Sequence, residues 1–492
     1  MKALLEPIKE IARFDELFRD LKKGTAGVTV ISGCLESQKA HMIAGLSEDA
    51  PVRLLIAENE LKAKELYEDY RLYDAETLYY PAKDLIFYQA DIHGNLLIRQ
   101  RLQVIQALLE RKEVTIITSV GGCMDFLLPL GVFEKHCIHL RNDSEFDLDK
   151  IRKELVRLGY ESTFQVESTG QFSVRGGILD IYPLTEQNPI RIELWGDEID
   201  SIRSFDAESQ RSIENLEEII IYPASELILT ENTIARGVKA IKKEAKAQST
   251  KFRDKMMTEE AARIRHAAEE ICDQIGEGEI LQGAEQYLHY FYPETVSFLE
   301  YLPENSRIFL DEPNRIIECA DALEAEFQES VSHRLEKGYL LPGQAKLMCS
   351  TAELVAKLNR RGCVAVSLME PQKGEWNIRD EFSVTVKSVN SYNNQFPLLV
   401  KDLKSWKKAG YRIVLASPSR TRAQHLAEDL QNEEIPAFYS ENEERVLKPG
   451  EVMLIHGAAR RGFEYPMQKF VLITETDIFG KEKKKNRKKS EY

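Results

Sequence analysis

The chain has 492 residues, 43% of them hydrophobic and 30% charged, with a formal net charge of −15. That length exceeds one hydrophobic core and suggests three or four domains at roughly 150 residues each. The acidic balance weighs against strong non-specific nucleic-acid binding by the surface as a whole and against a plain DNA-binding module, because it repels phosphates, and leaves room for a local basic groove alone.

No apolar run reaches the ~18 residues of a membrane span, so no membrane partner is expected. Seven cysteines (Cys34, Cys123, Cys137, Cys272, Cys319, Cys349, Cys363) lie scattered without a C-x-x-C pair. That pattern suits a reducing, cytoplasmic setting and gives no metal site. Residues 1–24 predict one helix, since Leu4, Leu5, Ile8, Ile11, Phe14, Leu17, Phe18 and Leu21 recur at helical spacing. Acidic residues throughout and no small-residue cleavage site argue against a signal peptide.

A βαβ rhythm follows: strand Val28–Ser32, helix Lys39–Leu46, strand Arg53–Ile56, helix Glu60–Tyr70, strand Thr77–Tyr80, helix Leu97–Leu109 and strand Val114–Ser119. Such alternation predicts a parallel sheet with helices on both faces. Between the first strand and helix lies Gly33-Cys34-Leu35-Glu36-Ser37-Gln38-Lys39-Ala40. A phosphate-binding loop in this position needs G-x-x-x-x-G-K-[ST], with glycines that let backbone N–H groups cradle phosphates, a lysine on the β/γ-phosphates and a hydroxyl on Mg²⁺. Gly33 and Lys39 are in place, but Gln38 replaces the second glycine and Ala40 the metal ligand. Glu36 adds a carboxylate where phosphates would lie. Later, Ile308 to Glu312 reads as a strand ending in Asp311-Glu312, like the acidic strand end of such a site. The same two acids before Pro313 could instead favour a helix N-terminus. The set Gly33, Gln38, Lys39, Ala40, Asp311 and Glu312 thus reads as a degenerate nucleotide loop without hydrolysis, cofactor or metal. The nine histidines form no catalytic motif.

From about 131 to 221 the pattern changes to a small α+β insert: a strand near Cys137–Leu140, a helix Leu148–Leu158, then a run of hairpins. Gly196-Asp197 between two apolar runs, with glycine first, suits a type II′ turn. Along Ile190–Trp195 the period is two, so Ile190, Ile192 and Leu194 share one face and Arg191, Glu193 and Trp195 the other. Arginine and tryptophan on a solvated face are the residue types enriched at binding hot spots. The alternative is a tryptophan half-covered by a loop, with Arg191 paired to Glu193 or Asp180. Arg175, beside Gly176-Gly177, could likewise be fixed by a bulge.

Residues 231–275 predict exposed, charged helices, more solvated than packed. A strand Arg307–Leu310 and a helix Arg315–Leu335 complete the first sheet, and Gly338–Gly343 is the best linker. A second α/β unit over 346–478 holds strands Val364–Leu368, Phe382–Val386, Tyr411–Ala416, Glu451–Ile455 and Lys469–Thr474, with helices Leu398–Lys408 and Arg420–Gln431. The closing KEKKKNRKKSEY is a basic tail. The division expected is 1–130 and 222–345 for a discontinuous degenerate P-loop-type α/β domain, 131–221 for the inserted domain, 346–478 for the second α/β domain and 479–492 for a linker.

TGQFSVRGGILDIYP followed by RIELWGDEIDSIRSFDAESQRS resembles the signature of the UvrB-like module shared by the excision-repair protein UvrB and the transcription-repair coupling factors, the Mfd family. UvrB has an intact P-loop and a Tyr-rich hairpin that grips DNA. The stretch from Leu78 to Asp84 followed by FYQADIHGNLLIRQRL leaves no room for that hairpin. The degenerate loop points the same way, so the chain is similar to the N-terminal region of Mfd. The resemblance implies a non-catalytic module that recruits UvrA through Arg175, Arg191 and Trp195, the last standing where the family more often has Phe. It also implies regulatory contacts with the translocase and polymerase-interacting domains of a longer parent. Those domains, which would engage RNA polymerase and DNA, are not in this sequence. The competing reading is a UvrB-like ATP-dependent damage-recognition enzyme.

Overall fold

The computed structural model describes residues 1–83, 94–276, 284–371 and 374–480. Seven strands, all parallel, form its first sheet in the order Ile378–Ser383, Val28–Ser32, Cys363–Val366, Arg307–Asp311, Val52–Ala57, Val114–Ser119 and Leu78–Tyr80. Val28–Ser32 and Val114–Ser119 are buried at every position, as expected of strands with helices on both faces.

Two of the expected unit boundaries need correction. The strands at 364–368 and 382–386 do not open the second α/β unit. Cys363–Val366 pairs with both Val28–Ser32 and Arg307–Asp311, and Ile378–Ser383 closes the edge beyond Val28–Ser32. The first sheet therefore runs past the expected boundary at 345, and the second begins with Lys387–Ser388. Gly338–Gly343 is not a linker either. The Gly343 N–H donates to Glu244 and to the Tyr290 hydroxyl, and Leu341 is buried. A Cβ on Gly338, at φ +70°, would lie 2.8 Å from the Glu260 carbonyl oxygen.

The second sheet orders Lys387–Ser388, Phe463–Tyr465, Phe470–Thr474, Arg412–Ser417, Val452–His456 and Ala437–Tyr439. Its helices Phe396–Lys408 and Arg420–Asn432 match the predicted ones closely. The fold is α/β and multidomain. No helix among the described residues is long and apolar enough to cross a membrane.

The single helix predicted for 1–24 is broken into Lys2–Leu5, a 3-10 turn Glu6–Glu10 and Phe14–Lys22. Pro7 cannot continue an α-helix comfortably, and Arg13 takes a left-handed φ of 64°. The break has a consequence for packing. Ala3 and Leu4 enter the core of the second sheet with Phe463 and Phe470, whereas Ile8, Phe14 and Leu17 pack on the first. This segment staples the two α/β units together.

The insert carries a six-stranded sheet ordered Ser212–Leu216, Glu198–Phe205, Ile190–Trp195, Ile178–Ile181, Gln171–Arg175 and Glu161–Ser162. Phe172, Leu179, Ile181, Ile190, Ile192 and Ile202 form its buried face. After the insert, Glu231–Asp254 and Thr258–Gly276 form a helical pair. Each is charged and exposed on most of its surface but buries one stripe, Ile241 and Ala245 on the first and Ile264 and Ala268 on the second. They are packed elements, more so than their composition suggests.

Candidate functional site

The degenerate loop is folded and filled by the chain itself. Gly33, at φ +82°, is required sterically, because a Cβ there would sit 2.2 Å from the Val384 carbonyl oxygen. The Gly33 and Cys34 N–H groups, which a phosphate would need, donate to the carbonyls of Leu368 and Ser367. Lys39 is 1% exposed. Its ammonium donates to Glu36 at 2.5 Å, Asp311 at 2.7 Å and Glu312 at 2.8 Å. A lysine has three N–H donors, so all are spent on carboxylates of this protein. The acceptor oxygens lie within 4.8 Å of one another, a spacing suited to a cation, and the Lys39 ammonium is the cation they hold. Burial works against its charge, but Asp311 and Glu36 outweigh that and raise it above the ordinary lysine value. Burial also pushes Asp311 up to about 6, with Lys39 opposing.

Asp311 and Glu312 therefore both bind Lys39, one from the strand end and the other from the N-cap position of the next helix. Glu312 does precede the helix Pro313–Glu336, in a left-handed conformation, but makes no side-chain cap; its carboxylate takes the Leu368 N–H at 2.8 Å as well as Lys39. Ala40 is buried at 1% exposure and offers no oxygen for a metal.

Gln38, in the position of the missing glycine, has another partner. Its amide donates to the Tyr465 hydroxyl on the second sheet. That hydroxyl is 3.1 Å from His41 Nδ1, and His41 Nε2 is 2.6 Å from the Leu4 carbonyl oxygen. Since a carbonyl can only accept, Nε2 carries the proton and Nδ1 accepts from Tyr465. The relay joins loop, second sheet and N-terminal helix. Burial holds His41 down to about 4, so the ring is neutral near pH 7. Nearby, Arg460 grips Asp69 with Nε at 3.0 Å and Nη2 at 2.7 Å, a second tie between the units.

The insert presents the other candidate set. Asp180, 1% exposed, stands on the face opposite the core. Arg191 clamps it from the next strand, Nε to Oδ1 at 2.7 Å and Nη2 to Oδ2 at 2.9 Å, and Arg175 adds Nη2 to Oδ2 at 2.8 Å. Arg191 also reaches Gln210 at 3.0 Å and lies 4.4 Å from the Phe205 ring centroid. So the Arg191–Asp180 pair weighed in the sequence is formed, whereas Glu193 bonds Arg203 instead. Arg175 ends a two-residue hairpin rather than a bulge, with Arg175 opposite Ile178. Trp195 is uncovered, at 84% exposure. It lies at the hairpin end, opposite Glu198 across Gly196-Asp197, about 13 Å along the strand from Arg191. Only Gly196 of that turn has positive φ, 65°, the type II′ pattern.

Sequence reasoning passed over Tyr465, His41 and Arg460, which tie one α/β unit to the other. The tail 481–492 and the residues 84–93, part of the stretch expected to be too short for UvrB's hairpin, lie outside the described residues.

Residues 138–227 match the family described as the UvrB interaction domain. Across its length the chain is similar to curated relatives. It is 32% identical over 492 residues to the transcription-repair-coupling factor of Bacillus subtilis (strain 168), covering 96% of this chain and 41% of that protein. It is 30% identical over 502 residues to the factor of Staphylococcus aureus (strain USA300), covering 100% of this chain and 41% of that one. The chain thus has a region similar to the UvrB interaction domain and is similar across its length to transcription-repair-coupling factors, spanning 41% of the length of these relatives.

Proposed function

We propose that this chain is the N-terminal part of a transcription-repair-coupling factor and works there without catalysis, recruiting UvrA to lesions where RNA polymerase has stalled. The observation that carries the reading is the coincidence of the UvrB interaction domain match, 138–227, with a sheet face bearing Arg175, Arg191 and Trp195. Asp180 holds both arginines in fixed orientations, so little side-chain entropy is lost when a partner docks. An acidic group on UvrA would exchange with or join Asp180 at the arginine fork, and Trp195 would fill a pocket on the partner. RNA polymerase and DNA belong to further domains of the parent, which this module would regulate through contacts with the translocase and polymerase-interacting domains.

The competing reading, a UvrB-like ATPase, requires ATP phosphates to displace three carboxylates from Lys39 and to reach a Mg²⁺ that Ala40 cannot hold. The test has two arms. Purified chain should retain UvrA in a pull-down, and the Arg175→Ala variant should retain less. The chain should show no ATPase with or without DNA; turnover on the order of 1 s⁻¹, abolished by Lys39→Ala, restores the enzyme reading.

A further inference from the structure

Among the described residues the two most exposed aromatic side chains are Trp195 and Phe164, each at 84%. They are distant in sequence and sit on different elements of the insert. Phe164 lies in the connection between the strands Glu161–Ser162 and Gln171–Arg175. Its position relative to the arginines follows from the pairing. Ser173 and Arg175 project from one face of their strand, Ser173 stands directly across from Asp180, and Asp180 directly across from Arg191. The Ser173 hydroxyl, turned to this face, donates to the Phe164 carbonyl at 2.7 Å. The connection therefore runs over the polar face beside Asp180, which it helps to bury.

The connection is also pinned. The Thr163 N–H donates to the Phe172 carbonyl at 2.8 Å, and the Glu167 and Ser168 N–H groups both donate to Gln171 Oε1, at 3.0 and 3.1 Å. An aromatic ring left in water on a backbone fixed by hydrogen bonds on both sides contributes little to the fold. It is arranged as a pre-organised anchor, with few rotamers to freeze. Isolated exposed apolar residues need no explanation. Here, though, both lie on elements next to the strands that carry the fork: Phe164 follows Glu161–Ser162, the neighbour of Gln171–Arg175, and Trp195 ends Ile190–Trp195, the strand of Arg191.

We propose that Phe164 is a second aromatic anchor of the UvrA-docking face, so that the contact is a basic fork flanked by two rings and extends to the Glu161–Ser162 edge of the sheet. This rests on the reading above that the insert docks UvrA. Hot spots cluster where such rings enter desolvated pockets around a charged centre.

The experiment is calorimetric titration of purified UvrA with the whole chain as wild type, Phe164→Ala, Phe164→Tyr and Trp195→Ala, with a melting curve for each. Phe164→Ala is expected to weaken binding about ten-fold, Phe164→Tyr to stay near wild type, and neither to change the melting temperature. If Phe164→Ala binds like wild type while Trp195→Ala is weakened, the second anchor is wrong and UvrA recruitment stands. A Phe164→Ala chain that melts lower but binds normally once folded makes Phe164 structural and also overturns the anchor. If the wild-type chain does not bind UvrA, both readings fall together.

Discussion

The degenerate loop and the insert face are both built on arginine or lysine held by carboxylates, yet they treat charge and exposure in opposite ways. At the loop, Lys39 is 1% exposed, and all three of its donors are spent on Glu36, Asp311 and Glu312. At the insert, one buried carboxylate, Asp180, is shared by two arginines, and Arg175 keeps 38% of its side chain in water. The first arrangement has an excess of acid and no spare donor, so it repels phosphate and contributes to the fold. The second sets two bases on one acid, with Arg175 partly in water and Trp195 exposed about 13 Å along the strand, so it can take an external acid. A residue type typical of a binding site therefore says little until its partners are counted.

Removing the charge at the loop should have the largest effect. Lys39→Ala leaves three carboxylates clustered around a buried gap, and breaking a buried ion pair from one side costs about 3–5 kcal/mol. Denaturant unfolding should register a loss of that order, with UvrA affinity of the folded protein unchanged. A stable Lys39→Ala chain would mean that the site is held open rather than self-filled, which erases the contrast.

The relay beside the loop should respond to acid. His41 is held down to about 4, below its ordinary 6.5. A depressed value stabilises the fold above the unfolded pKa, and that stability is lost as pH falls through the folded one. Between pH 6.5 and 4 the loss should be at most about 1.4 kcal/mol per pH unit. Asp311, raised to about 6, works the other way. It binds its proton more readily when folded, so its contribution grows as pH falls from about 6 toward the unfolded value. His41→Gln should therefore flatten or reverse the acid limb of a stability–pH curve; an unchanged slope would show that His41 is not the titrating group.

A smaller effect is expected at Tyr465. Tyr465→Phe keeps the ring but leaves the Gln38 amide and His41 Nδ1 without the hydroxyl they share. Unsatisfied buried groups cost about 1–3 kcal/mol, and the lower end applies if a water fills the gap. Insert stability and UvrA affinity should not follow, because the relay lies on the other units.

What the sequence disclosed and what it withheld divide along range. The loop is a local pattern, so Gln38 and Ala40 stand out as departures in the sequence alone, and the period of two along Ile190–Trp195 puts Arg191 and Trp195 on one face. The strands Cys363–Val366 and Ile378–Ser383 looked like the start of a new unit because periodicity marks a strand but not the sheet it joins; their partner Val28–Ser32 is more than 300 residues away. Gln38 and Tyr465 are 427 positions apart, and nothing near Gln38 marks the hydroxyl that replaces a nucleotide's demands. Phe164 sits in a segment without periodicity, and its significance comes from Ser173, nine residues on.

The central claim is that the insert face is a docking surface and the loop a structural plug. Trp195→Ala tests it most directly when UvrA affinity and melting temperature are measured on the same preparation. The account predicts a dissociation constant raised about thirty-fold, roughly 2 kcal/mol, with the melting temperature unchanged because the ring is 84% exposed. Unchanged affinity together with a lower melting temperature would contradict it, since Trp195 would then hold the insert together rather than hold a partner.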